Sequence, residues 1–156
     1  MQVLNCDQSG FVKELHSSRT LSFRGEKTTE RIVQSKAALS HSITVMPSIA
    51  LDGSILPELF VQVKERGGDF PPTVTPYAAR NLYVLPGKSH MMTKDSMIKF
   101  FDVCVMPYVA TSSLLLLDSW SAFKDHHAIE NLAIDGDSVT VKNIPAGLTS
   151  KIQPCD

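Results

Sequence analysis

Cysteine is scarce in this chain of 156 residues: Cys6, Cys104 and Cys155 are odd in number and far apart. No C-x-x-C pair occurs, so neither a zinc knuckle nor a disulfide framework is suggested, and a reducing compartment is the simpler expectation. An excess of one charge is missing too. The formal net charge is −1, with charged residues at 20%, which is not the electrostatic footprint of a dedicated nucleic-acid binder. Any affinity for phosphate backbones is therefore expected to be modest. No apolar run approaches membrane-spanning length, and Met1 to Gly10 is too short and too polar for a secretory signal. The expectation is a soluble, intracellular protein with no membrane partner. Repeats, low-complexity tracts and linkers are also lacking. What remains is an ordinary globular composition, 43% apolar, in one domain's worth of chain.

Local patterns point to a mixed α/β domain. Gln2 to Cys6 reads as a strand that ends at Asp7, with Ser9-Gly10 as a turn signal. Thr20 to Phe23 is a weaker strand candidate, and Lys27 to Ser40 is polar and reads as loop with at most a helical turn. Ser42 to Leu51 and Ile55 to Val63 are β-rich runs about Asp52-Gly53, a strong hairpin signal, with Pro47 and Pro57 marking an edge or a bulge. Lys64 to Thr75 reads as a surface loop and Leu82 to Leu85 as a short strand. Thr93 suits the N-cap of a helix that Pro107 ends near Met106. Met97, Phe100, Phe101, Cys104 and Val105 then give that helix one buried face. Leu114 to Leu117 fits a central parallel strand covered on both faces. A short helix over Lys124 to Leu132 and a strand over Ser138 to Lys142 follow, before Pro145-Ala146-Gly147 breaks the pattern.

Two of these strands end in a carboxylate, Asp7 and Asp118, and Asp156 is a third candidate. If the two strands are parallel neighbours, their backbones lie about 4.8 Å apart and both aspartates leave the same sheet edge. Carboxylates that close repel unless a cation sits between them, and magnesium suits such oxygen donors. A third carboxylate would complete a two-metal site for in-line attack on a phosphodiester. The bland alternative is that a strand-end aspartate is a turn or cap residue, and spacing alone does not decide between them.

The residues around each aspartate add a resemblance. Asn5-Cys6-Asp7-Gln8-Ser9-Gly10-Phe11, with His16 to Ser22 and Gly25-Glu26-Lys27, resembles the opening of the DDE endonuclease domain of pogo- and Tigger-like transposases in the mariner superfamily. Leu114 to Ser121 resembles the second catalytic block of that domain, and Ile144 to Asp156 the third. The resemblance implies a ribonuclease-H-like fold, a five-stranded mixed sheet with flanking helices, and a metal-binding catalytic triad of Asp7, Asp118 and Asp156. It also implies Mg2+ or Mn2+ as cofactor, DNA as partner, strand cleavage and transfer as the ancestral reaction, and the nucleus as location.

The chain departs from the family pattern at Ala122-Phe123, where Gly-His is usual, and at Cys155, where leucine is usual. The final helix of the fold is expected to be missing after Asp156, so impaired catalysis is expected. No helix-turn-helix module precedes the first strand, so DNA binding is expected to be weak and indifferent to sequence. Lys27, Arg31, Lys36 and Lys151 are candidate phosphate contacts, although a solvated loop is the commoner meaning of such cations. Trp120 offers a stacking surface for a base or, more ordinarily, a packing residue. His126-His127 point about 100° apart on a helix and would chelate one ion poorly. Ser119 and Ser121 lack a histidine–carboxylate arrangement readable from spacing, so a serine nucleophile is not expected. The alternative function is a domesticated, non-enzymatic DNA- or chromatin-associated or protein-interaction module, as in pogo-derived host proteins.

Overall fold

The computed structural model describes residues 1–12, 22–28, 42–134 and 136–155. Its strands are β1 (Gln2–Cys6), β2 (Ser9–Val12), β3 (Ser42–Met46), β4 (Ser48–Ala50), β5 (Leu59–Lys64), β6 (Leu82–Gly87), β7 (Ser112–Leu117) and β8 (Ser138–Asn143). Helix α1 covers Lys94–Phe100, α2 His126–Glu130 and α3 Thr149–Ile152. The class is mixed α/β, with two four-stranded sheets in the orders β4-β1-β7-β8 and β2-β3-β5-β6.

One register joins the two sheets. Antiparallel pairing matches Leu4 with Ala50 and Cys6 with Ser48, then Ser9 with Val45 and Phe11 with Ile43, at an unchanged offset. Thus β1 and β2 are halves of one long strand, and β4 and β3 are halves of its partner. The interruption falls where Asp7 and Gln8 face Pro47 and Met46. Pro47 has no N–H to donate, so the ladder is broken there by chemistry rather than by a turn. The expected turn at Ser9-Gly10 is accordingly a strand. Of the weaker candidate at Thr20 to Phe23, Thr20 and Leu21 lie outside the described residues, and Ser22-Phe23 is not in a strand. The helical turn considered between Lys27 and Ser40 falls mostly outside them as well.

The Asp52-Gly53 turn forms as expected. Gly53 takes a φ of +86°, and the Ser54 carbonyl accepts from the Ala50 N–H at 2.8 Å. Beyond Pro57, β5 pairs with β3 rather than with β4, matching Val45 with Val61. Strand β6 runs parallel to β5, and β7 runs parallel to both β1 and β8.

Thr93 caps α1 through a capping box: its Oγ1 accepts from the Ser96 N–H, and Ser96 Oγ accepts from the Thr93 N–H at 2.7 Å. The helical path then widens into a π turn over Phe101–Val105 and tightens into a 3-10 turn at Met106–Tyr108, where Pro107 ends it. Adjacent residues on an α-helix diverge by about 100°. The wider turn lets Phe100, Phe101, Cys104 and Val105 all be fully buried. They meet Leu4, Cys6, Met46, Phe60, Leu115 and Leu117 on one face of the sheets. A run of ring contacts crosses this core, from Phe60 to Phe100 (5.6 Å between centroids), Phe101 (4.9 Å) and Phe123 (6.0 Å), ending on Trp120 (5.1 Å).

Strand β7 is central and parallel as expected, but its two faces are unequal. Ser113, Leu115 and Leu117 are buried, whereas Leu114 and Leu116 are only partly covered. On β8 the outward residues Ser138, Thr140 and Lys142 are polar, and Val139 and Val141 point inward. Replacing Phe101 with alanine should therefore lower stability by about 3–5 kcal/mol in denaturant titrations. Phe23→Ala, at a position 85% exposed, should stay within about 0.5 kcal/mol. Similar effects at the two sites would mean that the ring contacts are not the core.

Candidate metal centre

The geometry of the candidate site follows from one parallel pairing. Register places Val3 beside Leu114, Leu4 beside Leu115 and Asn5 beside Leu116. Two further steps bring Asp7 level with Asp118, each just past the C-terminal end of its strand. Alternation sets the face. Leu4 and Cys6 are buried toward α1, so Val3, Asn5 and Asp7 belong to the opposite face, as do Leu114, Leu116 and Asp118 on the neighbouring strand. The two aspartates are therefore side by side on one face and one edge, with strand backbones about 4.8 Å apart.

Local hydrogen bonds orient both carboxylates. Asp7 Oδ1 accepts from the Gln8 N–H at 2.8 Å, and Asp118 Oδ1 accepts from the Trp120 N–H at 3.0 Å. The second is the tight turn expected of a strand-end aspartate, whereas the first lies within the long β1/β2 strand. They use Oδ1 of each group. Trp120 stands edge-on to the buried Phe123, with ring planes at 85°, so its indole serves packing at the site edge. The apolar Ala122-Phe123 pair is what anchors the loop after Asp118 to the aromatic core.

The C-terminal segment reaches the same edge by a different route. Asn5, 3% exposed in the middle of β1, donates from Nδ2 to the Leu116 carbonyl (2.7 Å) and accepts on Oδ1 from the Cys155 N–H (3.1 Å). The Cys155 thiol also contacts the Asn5 carbonyl at 3.7 Å. Burial, with the Asp7 carboxylate nearby, pushes this thiol up to about 11. Cys155 thus lies next to Asp7. The third candidate, Asp156, falls outside the described residues, as do Arg31 and Lys36. Lys151 is exposed on α3, the helix leading to Pro154 and Cys155, while Lys27 lies in the exposed segment 22–28.

Asp7 and Asp118 offer hard oxygen donors, which fit magnesium or manganese better than softer ions. Among the described residues no group of three or more His, Cys, Asp and Glu side chains forms a metal-holding cluster. The pair is therefore the part of the expected triad that can be located. No helix among the described residues is long and apolar enough to cross a membrane.

Two contributors were given no role from the sequence, and a third was weighed in a different one. Asn5 sits inside an apolar strand, the one cue that a buried polar contact was present. Asn143 donates from Nδ2 to the Asp118 carbonyl at 2.7 Å, and His126 Nε2 meets Asn143 Oδ1 at 2.5 Å. His126 had been weighed only as a chelator with His127, whereas its partner lies on β8. Comparison of the chain with protein-family models, characterised proteins and solved structures found no significant match.

In chelator, Asp118→Asn should leave stability unchanged or raise it, because the amide oxygen still accepts from Trp120 while one of two like charges is gone. A loss of several kcal/mol in thermal or denaturant unfolding would make Asp118 a purely structural cap. The thiols give a second expectation. Burial raises Cys6 and Cys104 to about 12 and Cys155 to about 11. A group bound more tightly to its proton in the folded state stabilises fully below its unfolded pKa. Stability should thus fall as pH rises from the ordinary thiol range toward 11–12, and Cys155→Ala should flatten part of that decline in denaturant titrations.

Proposed function

We propose that this chain is a DDE-type, ribonuclease-H-like core that binds nucleic acid and descends from a metal-dependent DNA-cleaving transposase. The observation that carries this is the Asp7–Asp118 pair on one face at the ends of adjacent parallel strands. Strand order supports it. With β1/β2 and β3/β4 taken as two long strands, the succession is β5, β3/β4, β1/β2, β7, β8, flanked by β6. Three antiparallel strands followed by two parallel ones is the five-stranded order of the ribonuclease-H fold, to which β6 is an addition. The contact between Cys155 and Asn5 further supports a third ligand from the segment that contains Asp156.

In this reading Asp7, Asp118 and Asp156 hold Mg2+ or Mn2+. The metal, when bound, supplies charge stabilisation at the phosphodiester and activates the attacking water or hydroxyl. The protein's own contribution is positional. Gln8 and Trp120 N–H groups fix one oxygen of each carboxylate, and Asn5 ties β1 to β7 and to the C-terminal segment. Lys27, Arg31, Lys36 and Lys151 are proposed phosphate contacts, with Trp120 at the margin of the DNA path. The nucleus is the corresponding location.

A second function is favoured by one specific feature. Val3, Ile49, Leu51, Leu116 and Pro154 line an apolar cleft of 250 Å³ on the face that carries the aspartates. Such a cleft suits a domesticated, non-enzymatic module whose partner is a protein.

The deciding experiment measures binding to a short DNA duplex, alongside nicking of supercoiled DNA in magnesium. With three or four phosphate contacts, the slope of log affinity against log salt should be about −3. Affinity should be higher in millimolar calcium than in chelator at matched ionic strength. The double variant Asp7→Ala/Asp118→Ala should lose that gain while binding better in chelator. Retention of the full calcium response by the double variant would place the cations elsewhere and overturn the site. Calcium-dependent binding without magnesium-dependent nicking would favour the non-enzymatic module.

A further inference from the structure

Strand β7 makes its last backbone hydrogen bond to the β8 side at Leu117, whose carbonyl accepts from the Ile144 N–H at 2.6 Å. Asp118 lies one residue beyond. Its carbonyl is taken instead by the side chain of Asn143, so the amide extends the ladder by one step. The carboxylate of the same residue is held from the other direction by the Trp120 N–H. Asp118 is thus gripped at its main chain and at Oδ1, and among the described residues Oδ2 has no partner.

The grip works only if the Asn143 amide keeps its orientation. A carbonyl can only accept, so Nδ2 must be the atom facing Asp118, and Oδ1 must face away. There it meets His126 Nε2. An amide oxygen can only accept as well, which requires His126 to carry its proton on Nε2. The neutral ring therefore has its lone pair on Nδ1, which has no partner among the described residues. Protonating Nδ1 leaves the Nε2–H bond in place, so the contact holds in both forms of the ring.

His126 is itself well placed. It is the first residue of α2, whose N-cap Asp125 accepts from the Ala128 N–H at 3.2 Å and pairs with Lys94 of α1 at 2.5 Å. The residue is half-buried, and β8 runs beside α2. A chain of contacts consequently runs from α1 through α2 and β8 to the end of β7.

We propose that His126 is a positioning residue for Asp118, acting through Asn143 to fix the carboxylate in its metal-binding orientation. This role rests on the metal site described above. Loss of a group that orients a metal ligand typically costs about 10–100-fold in metal affinity.

The test uses the whole chain, with Mn2+ as the probe. Metal affinity is measured by titration, and amide hydrogen exchange is followed at Trp120, whose N–H reports the Asp118 carboxylate directly. His126→Ala should weaken Mn2+ binding about tenfold and speed Trp120 exchange by a comparable factor, with little change in the thermal midpoint. His126→Gln retains a donor for Asn143 Oδ1 and should restore both readouts to within about threefold of the wild type. Unchanged affinity and unchanged exchange in His126→Ala would overturn the role. So would a loss that simply follows a lower thermal midpoint and that glutamine does not reverse. Wild-type protein that takes up no Mn2+ would overturn the carboxylate site and the positioning role together, an outcome distinct from failure of the variants alone.

Discussion

Everything at the candidate site depends on the parallel pairing of β1 with β7. A strand's side chains alternate, so a slip of one residue would move Asp7 to the α1 face and bring Cys6 out. The register is secured on both sides. Leu4 and Leu115 are buried next to each other in the core, and on the opposite face Asn5 locks its amide onto the Leu116 carbonyl. Hydrophobic burial thus selects the register, and one buried hydrogen bond adds directional specificity. Losing a partner from such a bond leaves a buried group unsatisfied, typically at a cost of about 1–3 kcal/mol.

Seen from that pairing, the two sides of the sheet have different tasks. The α1 side is packed with rings and aliphatic groups and carries stability. The other side carries Asn5, the two aspartates and an apolar cleft, and it is only partly covered among the described residues. The loop after β7 connects the two sides, because Phe123 is buried in the core while Asp118 stands at the edge. Ala122-Phe123 gives the loop its anchor in this chain. The polar support for Asp118 comes from β8 and α2 instead.

Legibility in the sequence followed the range of the interactions. The periodic burial of Met97, Phe100, Phe101, Cys104 and Val105 was plain, as were the strands ending at Asp7 and Asp118, because each is set by neighbours in sequence. Ser9-Gly10 was misread because small polar residues signal turns in isolation, whereas here they continue a strand already paired with β3. The π turn after Phe100 was invisible, since packing against the sheets and not local propensity selects it. The roles of Asn5, Asn143 and His126 went unnoticed for the same reason: each finds its partner on another element. Asp7 and Asp118 end neighbouring parallel strands, as the strand pattern anticipated, and Asp156 lies outside the described residues.

The bond from Asn5 to Leu116 spans 111 residues, and the one from Cys155 to Asn5 spans 150. Contacts of such separation are slow to form, because long loops must be closed before any energy is returned. Strand β1 is made well before its neighbour β7 and before the segment around Cys155 that docks on it. During synthesis β1 therefore waits with an unpaired edge, and its early partner is β4. The face that carries the aspartates can therefore form only once β7 has been made, whereas β1 can pair with β4 earlier.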